Sequence, residues 1–359
     1  MSRYLSSRHA GLEPYVPGEQ PKDKERYVKL NTNESPFPPS PKAVAAAAEA
    51  AKKMHLYSDP KSAVLNQKLA SVYGIRAEEV ASFNGSDEIL SLAMSAFCDA
   101  EHPAYFPDIT YSFYKTIAAM NCVPFYEIPL RPDFSIDVDD YIGLKGMIII
   151  ANPNAPTGIL LPLCDVEKIL RGNPDDVVIL DEAYIDFGGQ SALPLMKEYD
   201  NLLIARTFSK SRSMAGARIG FAMGSAPLIA DLNTMRGSFN PYNVNSMTAA
   251  AAVGALEDEE YTRNACRQVI EVREDFTKEL RSLGFELNDS KANFVLARHP
   301  KILGGKLFQI LHDDGFLVRH FDAPRLTDYN RISIGSRHQM ELLVAELKKI
   351  LEAYPNEKS

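Results

Sequence analysis

Two apolar runs that each end in polar residues decide the fold of this chain: DVVILDEAY (residues 176–184) and NLLIARTFSK (residues 201–210). Neither run alternates apolar with polar residues, which indicates strands that are buried on both faces. Similar runs recur from residue 80 to about 225, separated by helical stretches, and this order predicts an α/β fold with a mostly parallel sheet covered by helices. The other five runs are EVASF, AYFP, CVPFYEI, GMIII and GFAMG.

The flanking segments divide the chain into three predicted parts: an arm over residues 1–39, a large domain over 40–245 and a small αβ domain over 246–359. The arm is rich in Pro, Gly and polar residues, and Ser40 followed by Pro41 marks the start of a helix. In the small domain a long amphipathic helix ends at Gly284, and the strand candidates ANFVLA, GFLVRHF and RISIG precede a closing helix. The apolar residues that define these two helices are Val269, Val272, Phe276, Leu280 and Leu283, and then Leu343, Leu347, Ile350 and Tyr354.

Composition and charge narrow the function classes. The 359 residues carry a net charge of −8, and 45% are hydrophobic, as in globular proteins. The negative charge argues against general binding to nucleic acid or anionic membranes, while a local basic pocket for a phosphate is compatible with it. The N-terminus has no signal-peptide pattern and no run is long enough to cross a membrane, so we expect a cytoplasmic protein. Four scattered cysteines and unclustered histidines predict neither a disulfide framework nor a metal site.

Lys210 follows the run NLLIART, so its amine is expected at the carboxyl edge of the sheet, where ligands of such folds bind. A partly desolvated amine beside another cation loses its proton more readily and can then form an imine with an aldehyde. Arg218, eight residues further on (218 − 210 = 8), is either that cation or a fork that grips a phosphate. A lone lysine after a strand is more often a solvated side chain, so this interpretation depends on partner residues.

Asp181 ends a second apolar run, and Tyr184 lies three residues beyond it. A carboxylate at a sheet edge can simply cap the next helix. Its functional interpretation requires a cationic partner such as a pyridine nitrogen, because an adjacent carboxylate stabilises the protonated ring as an electron acceptor.

Three further motifs supply groups for the same kind of ligand. FNGSDEIL (residues 83–90) passes from strand to helix, so its backbone N–H groups either bind a phosphate or are capped locally. NPNAPTG (residues 152–158) brings asparagine side chains beyond another strand, and Tyr111 or Tyr114 can stack on a planar ring or pack in the core. An amine, a carboxylate, phosphate donors and an aromatic side chain at the strand ends of one sheet together predict a pyridoxal phosphate site.

The order of the motifs NGSDE, TYSFY, NPNAPTG, DEAY, TFSK and AGARIGF resembles that of the fold-type I pyridoxal-phosphate-dependent aminotransferases. The chain is most similar to their histidinol-phosphate aminotransferase branch, which LEPYVPG, LNTNESPF, HLYSDP, PYNVN and NRISIG also match. The resemblance covers nearly the whole chain. It implies a large domain with a mostly parallel, seven-stranded sheet and a smaller C-terminal αβ domain.

The resemblance also implies roles for individual residues. Lys210 is expected to hold the cofactor as an imine and to move the proton between substrate and cofactor carbons. Asp181 is expected at the pyridine nitrogen, Tyr184 at the phenolic oxygen and Tyr111 on the ring face. Tyr57 is expected to reach the phosphate of the neighbouring subunit's cofactor, so the implied active unit is a homodimer. The groups implied around the phosphate are Gly85, Ser86, Asp87, Thr207, Ser209 and Arg218.

One position departs from the family pattern. The family usually has asparagine immediately before PTG, in contact with the phenolic oxygen of the cofactor, and this chain has Ala155 there. Either Asn154 or Asn152 replaces that contact, or Tyr184 makes it alone. Of these alternatives we expect Asn154.

For the substrate, Arg319 and Arg331 match positions that grip an acidic group, although an arginine fork recognises carboxylate and phosphate alike. The resemblance implies amino transfer from histidinol phosphate to 2-oxoglutarate. An aromatic amino-acid aminotransferase and a threonine-phosphate decarboxylase of the same fold remain alternatives, as does a non-catalytic pyridoxal phosphate-binding protein. Further matches to the family's substrate-pocket and dimer-contact segments are Tyr15, Asn33, Glu34, Tyr242 and Asn243.

Overall fold

Each apolar run that predicted a strand of the large sheet forms one in the structure, a computed structural model that describes residues 2–23 and 25–353. In chain order the strands are β1 (Val28–Lys29), β2 (Val80–Phe83), β3 (Ala104–Pro107), β4 (Phe125–Ile128), β5 (Met147–Ala151), β6 (Val178–Asp181), β7 (Leu202–Thr207), β8 (Gly220–Gly224), β9 (Glu286–Leu287), β10 (Phe294–Arg298), β11 (Phe316–Leu317), β12 (Arg319–His320) and β13 (Asn330–Ser333).

The central sheet runs in the order β2, β8, β7, β6, β5, β3, β4. Among the described pairings β8 is antiparallel to both of its neighbours, and the remaining pairs are parallel. The prediction of a mostly parallel, seven-stranded sheet is therefore confirmed. Every residue of β5, β6 and β7 is buried, which explains why these runs do not alternate. Because these three strands run in the same direction, their carboxyl ends meet at one edge of the sheet.

Helices cover both faces of this sheet. The α-helices of the described residues are α1 (Pro41–Ala51), α2 (Ala63–Tyr73), α3 (Ser86–Phe97), α4 (Phe113–Asn121), α5 (Leu163–Gly172), α6 (Ala226–Phe239), α7 (Ser246–Leu256), α8 (Glu259–Ser282), α9 (Gly304–Asp313) and α10 (Arg337–Ala353). Alternate residues of the central strands enter two apolar clusters, one shared with α1, α2, α5 and α7 and the other with α3, α4 and α6.

A smaller antiparallel sheet, in the order β12, β13, β10, β9, packs with α8, α9 and α10 around a third cluster. The predicted strand GFLVRHF divides into β11 and β12, because β11 pairs with β1 of the arm while β12 pairs with β13. The arm is thus joined to the small sheet region by a parallel strand pair. None of the described helices is both long enough and apolar enough to span a bilayer.

Two local sequence signals correctly predict the start of α1 and the end of α8. The hydroxyl of Ser40 accepts a hydrogen bond from the backbone N–H of Ala43 at 3.2 Å, as an N-cap does. α8 ends at Ser282, and Gly284 follows with a φ of 88°, in the left-handed region that favours glycine. Tyr354, predicted for the closing helix, lies outside the described residues.

Helix α7 bears on the predicted domain division. It begins at Ser246, where the sequence suggests the start of the small domain, but it packs against α1 and α2 and shares their apolar cluster. The division at residue 245 remains a prediction, and this packing favours a boundary after α7 instead.

The first residue of β8, Gly220, sets how closely α3 approaches the sheet. A Cβ at this position would lie 2.7 Å from the backbone carbon of Gly85 and 2.8 Å from the backbone nitrogen of Ser86. We expect Gly220→Ala to lower the free energy of unfolding by about 1–3 kcal/mol, because the start of α3 must shift. The measurement is urea unfolding followed by circular dichroism.

Gly237→Ala is the matched control, because a Cβ at this position in α6 meets nothing within 4 Å. We expect it to leave stability unchanged or to raise it by up to about 1 kcal/mol through helix propensity. Equal unfolding free energies for the two variants would contradict the close contact between β8 and α3.

Candidate active site

A cavity of about 350 Å³ opens at the carboxyl ends of β5, β6 and β7. It brings together residues that are far apart in the sequence, from the arm, the large sheet and the small sheet. The predicted site residues that line it are Tyr15, Asn33, Glu34, Ser86, Asp87, Tyr111, Asp181, Tyr184, Thr207, Ser209, Lys210, Arg218, Arg319 and Arg331.

Lys210 enters this cavity from the loop that follows β7. Its side chain is partly buried, and the Nζ donates a hydrogen bond to the backbone carbonyl of Thr32 at 3.2 Å. The Nζ also lies 5.8 Å from the ring centre of Tyr184. The amine therefore faces the cavity that Asp181 and Arg218 also line, as the sequence predicts.

Asp181, the last residue of β6, is 5% exposed. Burial raises the pKa of its carboxyl group to about 6, although a hydrogen bond from the Tyr114 hydroxyl and one from the backbone N–H of Ala183 stabilise the anion. The Tyr114 hydroxyl donates to Oδ2 at 2.9 Å, and the Ala183 N–H donates to Oδ1 at 3.2 Å. A buried carboxylate with two neutral donors is suited to hold a cationic ring nitrogen.

The contact between Tyr114 and Asp181 was not predicted from the sequence. The sequence predicts only stacking or core packing for Tyr114, which is fully buried in α4. The one available signal is its position three residues after Tyr111, which places both rings on the same side of the segment. Tyr111 contacts Tyr114 edge to face, with 5.5 Å between the ring centres.

The start of α3 and the loops after β7 form the end of the cavity that fits a phosphate. Ser86 and Asp87 open α3, where the first N–H groups have no partner within the helix. The hydroxyls of Thr207 and Ser209 lie 2.9 Å apart. Gly85, outside the lining, leaves room for Arg218, whose Nη2 would be 2.9 Å from a Cβ there. These N–H, hydroxyl and guanidinium donors match the chemistry of a bound phosphate.

Asp87 contributes both its backbone and its carboxylate to this end of the cavity. It pairs with Arg218 at 2.9 Å and accepts a hydrogen bond from the Tyr111 hydroxyl at 3.3 Å. Asp87 thereby connects the guanidinium of the phosphate end to the ring expected to stack on the cofactor. Burial raises the pKa of Tyr111, so its hydroxyl remains protonated.

Asn154 is held away from the cavity. Its amide donates to the carbonyl of Ile109 and to the hydroxyl of Thr157, and its oxygen accepts a hydrogen bond from Thr110. Asn152 likewise bonds the backbone of Leu161 through both ends of its side chain. The expected contact of Asn154 with the phenolic oxygen is therefore corrected. Asn154 joins the turn after β5 to the loop after β3, and Asn152 bonds the backbone of Leu161, because buried polar groups need partners.

Two arginines line the side of the cavity formed by the small sheet. The guanidinium of Arg331 donates to the carbonyl of Asn31 at 2.9 Å and stacks over Phe294, 5.3 Å from the ring centre. Burial lowers the pKa of Arg331, and its buried Nε has no hydrogen-bond partner among the residues that the structure describes. Arg319 donates to the carbonyl of Val16 at 3.4 Å. A buried N–H without a partner is suited to an anionic ligand.

Glu34 also lines the cavity and forms an ion pair with Lys29. Burial opposes the charge on Glu34, but the hydrogen bond and charge of Lys29 outweigh this effect and lower the pKa of the carboxyl group. The acid stays ionised beside the cavity, where it disfavours a second anion nearby.

The remaining predicted residues lie outside the cavity lining. Tyr57 is 84% exposed and stacks on Tyr242, with 4.6 Å between the ring centres. Asn243 is buried behind α3, where its amide donates to Glu88 and its oxygen accepts from Arg236. Its side chain supports the start of α3 rather than facing a ligand.

The fold and this cavity together define the class of protein. Its mostly parallel sheet is covered by helices, and the strand ends present an amine, a buried carboxylate and a group of donors that can bind an anion. The chain matches the family described as aminotransferase class I and II over residues 25–347 and belongs to that family. The predicted aminotransferase resemblance is therefore confirmed.

Named relatives agree with this assignment. The chain is 47% identical over 354 residues to the histidinol-phosphate aminotransferase of Marinomonas sp. (strain MWYL1), covering 98% of this chain and 100% of the relative. It is 46% identical over 352 residues to the enzyme of the same name from Clostridium botulinum (strain Langeland), covering 98% of this chain and 99% of that one.

The fold is shared with solved structures at lower identity. The histidinol-phosphate aminotransferase of Sinorhizobium meliloti, solved in complex with pyridoxal-5'-phosphate, matches with a TM-score of 0.87 at 24% identity, covering 98% of this chain and 100% of that chain. An aspartate aminotransferase mutant of Thermus thermophilus matches with a TM-score of 0.82 at 20% identity, covering 98% of this chain and 100% of that chain. The predicted fold is thus confirmed.

The buried carboxylate predicts a pH-dependent stability cost in the cofactor-free protein. The raised pKa of Asp181 means that the folded state keeps this proton up to about pH 6, while the unfolded state loses it near its usual value of 3.8. Stability therefore falls as the pH rises through this window, by about 2–3 kcal/mol. Asp181→Asn should be more stable than wild type above pH 6 by that amount and equal to it below about pH 4.

Urea unfolding across this pH range measures the difference. The opposite sign is expected at Asp133, whose pKa is lowered by hydrogen bonds from Ser135, so Asp133→Asn should lose a little stability at neutral pH. If the unfolding free energies of wild type and Asp181→Asn changed in parallel with pH, burial of the Asp181 carboxylate would have no free-energy cost.

Proposed function

We propose that this chain is a pyridoxal-phosphate-dependent aminotransferase that transfers the amino group of histidinol phosphate to 2-oxoglutarate. One observation carries the cofactor assignment: the amine of Lys210, the buried carboxylate of Asp181 and the guanidinium of Arg218 face one cavity at the strand ends. This combination matches an aldehyde, a pyridine nitrogen and a phosphate on one ligand.

Each part of the cofactor has a proposed holder. Asp181 receives the protonated ring nitrogen, Tyr111 covers the ring face, and Tyr184 donates to the phenolic oxygen. The start of α3, with Arg218 and the hydroxyls of Thr207 and Ser209, holds the phosphate. When bound, the cofactor withdraws electrons from the carbon that carries the substrate amine.

Lys210 is the proposed general acid–base. The Lys210 amine lies on the loop after β7, is partly buried and faces Tyr184. It is therefore placed to hold the aldehyde carbon of the cofactor and afterwards to carry a proton to and from the reacting carbon. The two half-reactions use the same site, so we expect ping-pong kinetics.

The substrate assignment has two supports. Arg331 and Arg319 line the same cavity as the residues proposed to hold the cofactor phosphate, and a guanidinium fork can bind the phosphate of one substrate and a carboxylate of the other. The named relatives at 46–47% identity over nearly the whole chain support histidinol phosphate as the amino donor.

We also propose a homodimer in which Tyr57 completes the partner's cofactor site. Tyr57 lies outside the cavity of its own chain and is exposed, as are the apolar side chains near it or near Tyr242 in the sequence: Met54 at 62%, Leu56 at 60% and Phe239 at 76%. Exposed apolar side chains of this size are typical of a surface that another chain covers.

A cytoplasmic location remains our proposal, and the four free cysteines support a reducing compartment.

Lys210→Ala tests the central assignment. We expect the variant to keep pyridoxal phosphate through the ring and phosphate contacts but to lose turnover by at least about 1,000-fold, because no other group moves the proton. The measurements are cofactor content after gel filtration and single-turnover absorbance after addition of histidinol phosphate. Turnover at the wild-type rate would remove Lys210 from the mechanism.

A donor screen on the wild-type protein separates the substrate alternatives. Histidinol phosphate, free aromatic amino acids and threonine phosphate are added in turn, and the change in cofactor absorbance is followed. A preference for aromatic amino acids would favour the aromatic aminotransferase, and release of carbon dioxide would favour the decarboxylase. Cofactor binding without reaction of any donor would favour a non-catalytic protein.

Hybrid dimers test the shared site. Lys210→Ala and Tyr57→Phe chains are each expected to have low activity at limiting cofactor, and mixing them should restore about a quarter of the wild-type activity, since one site in each hybrid then has both native residues. If Tyr57 served its own chain, the mixture would remain as inactive as its components.

A further inference from the structure

Asn33 occupies an unusual position in the arm. Its backbone lies in the left-handed region, with a φ of 54°, and the residue is only 1% exposed. Asparagine tolerates this conformation better than most residues, but a buried and strained residue persists only where its surroundings hold it. The residues that hold Asn33 identify its role.

Hydrogen bonds to Ser333 of β13 set the orientation of the Asn33 side chain. The backbone N–H of Asn33 donates to the Ser333 hydroxyl at 2.8 Å, and that hydroxyl donates to Oδ1 of Asn33, also at 2.8 Å. A serine hydroxyl has one proton, so accepting the first bond leaves that proton for the second. This assigns the amide oxygen to Ser333 and turns the NH₂ group the other way.

The NH₂ group of Asn33 donates to the hydroxyl of Tyr184 at 3.0 Å. Asn293 fixes the other side of Asn33, because its amide donates to the Asn33 carbonyl at 3.0 Å. Since the Tyr184 oxygen accepts a hydrogen bond from Asn33, the proton of Tyr184 is available for an acceptor in the cavity. A hydroxyl that accepts a bond is also a stronger donor.

We propose that Asn33 is a positioning residue that aims and strengthens the hydrogen bond from Tyr184 to the phenolic oxygen of the cofactor. The proposal rests on the proposed function, since it requires bound pyridoxal phosphate. Asn33 acts through Tyr184, rather than through the substrate contact that the sequence suggests for it.

The turn after β5 explains why this chain needs such a residue. It presents Ala155 and Pro156 to the cavity, which have no side-chain donor, while the amide of Asn154 is bonded to Ile109 and Thr157. Ala155 packs with Phe294 in a small apolar cluster that also contacts Tyr184. With an apolar side chain where the family usually has asparagine, the hydrogen bond to the phenolic oxygen depends on Tyr184 and on the group that orients it.

The test uses the bound cofactor as a reporter. A hydrogen bond donated to the phenolic oxygen stabilises the deprotonated chromophore, so weakening that bond raises the pKa at which the absorbance changes. The variants are Asn33→Gly, which permits the left-handed backbone, Asn33→Asp, which keeps the shape but not the donor, Tyr184→Phe and the double variant Asn33→Gly/Tyr184→Phe. The absorbance of each holoprotein is titrated with pH, and the dissociation constant of pyridoxal phosphate is measured.

We expect Tyr184→Phe to raise the pKa of the chromophore by about one unit and Asn33→Gly by roughly half a unit, with about threefold weaker cofactor binding. Asn33→Asp should match Tyr184→Phe, because its carboxylate accepts the Tyr184 proton and turns it away from the cavity. Asn33→Gly should cause no further shift once Tyr184 is replaced by phenylalanine.

Ser35→Ala is the matched control for structural damage to the arm. It removes the hydrogen bond that the Ser213 hydroxyl donates to the Ser35 hydroxyl at 2.8 Å and leaves the hydrogen bonds of Asn33 in place, so we expect a lower unfolding temperature and an unchanged chromophore pKa. An unchanged pKa in Asn33→Gly, or an equal shift in the Tyr184→Phe background, would overturn the inference. A wild-type protein that binds no pyridoxal phosphate would instead overturn the proposed function on which it rests.

Discussion

The burial of the Asp181 carboxylate at the end of β6 is the constraint on which the site depends. Water is largely excluded from this group, and the neutral donors Tyr114 and Ala183 only partly stabilise its charge, so its pKa is raised. A cation placed against it removes much of this cost. The parallel arrangement of β5, β6 and β7 brings the amine of Lys210 to the same edge, where one ligand can meet both groups.

The arm is as much a part of the site as the sheet. The carbonyls of Asn31 and Thr32 accept hydrogen bonds from Arg331 and Lys210, and Asn33 donates to Tyr184. Three consecutive residues thus contact three cavity side chains that come from both sheets. The pairing of β1 with β11 anchors this segment, so its backbone groups have defined positions rather than those of a loose extension.

The sequence supported different parts of the site to different degrees. Asp181 and Lys210 could be predicted because each follows a continuous apolar run, and the carboxyl ends of parallel strands meet. The contact of Asn154 could not, since an amide within a turn can face either a ligand or its own backbone. Tyr114 was missed because a tyrosine on an apolar helix face has the same pattern whether its hydroxyl is bonded to a carboxylate or not.

By itself the sequence determined the strands of the large sheet, their mostly parallel arrangement and the motif order that identifies the family, because these follow from local apolar patterns and from residues close along the chain. Only the tertiary structure decided that α7 packs with α1, that Asp87 pairs with Arg218 and that Asn33 donates a hydrogen bond to Tyr184. Each of these contacts joins segments distant in sequence. Which groups form these contacts depends on the distance between them, on their burial and on the number of protons that each can donate. A local sequence pattern encodes none of these properties.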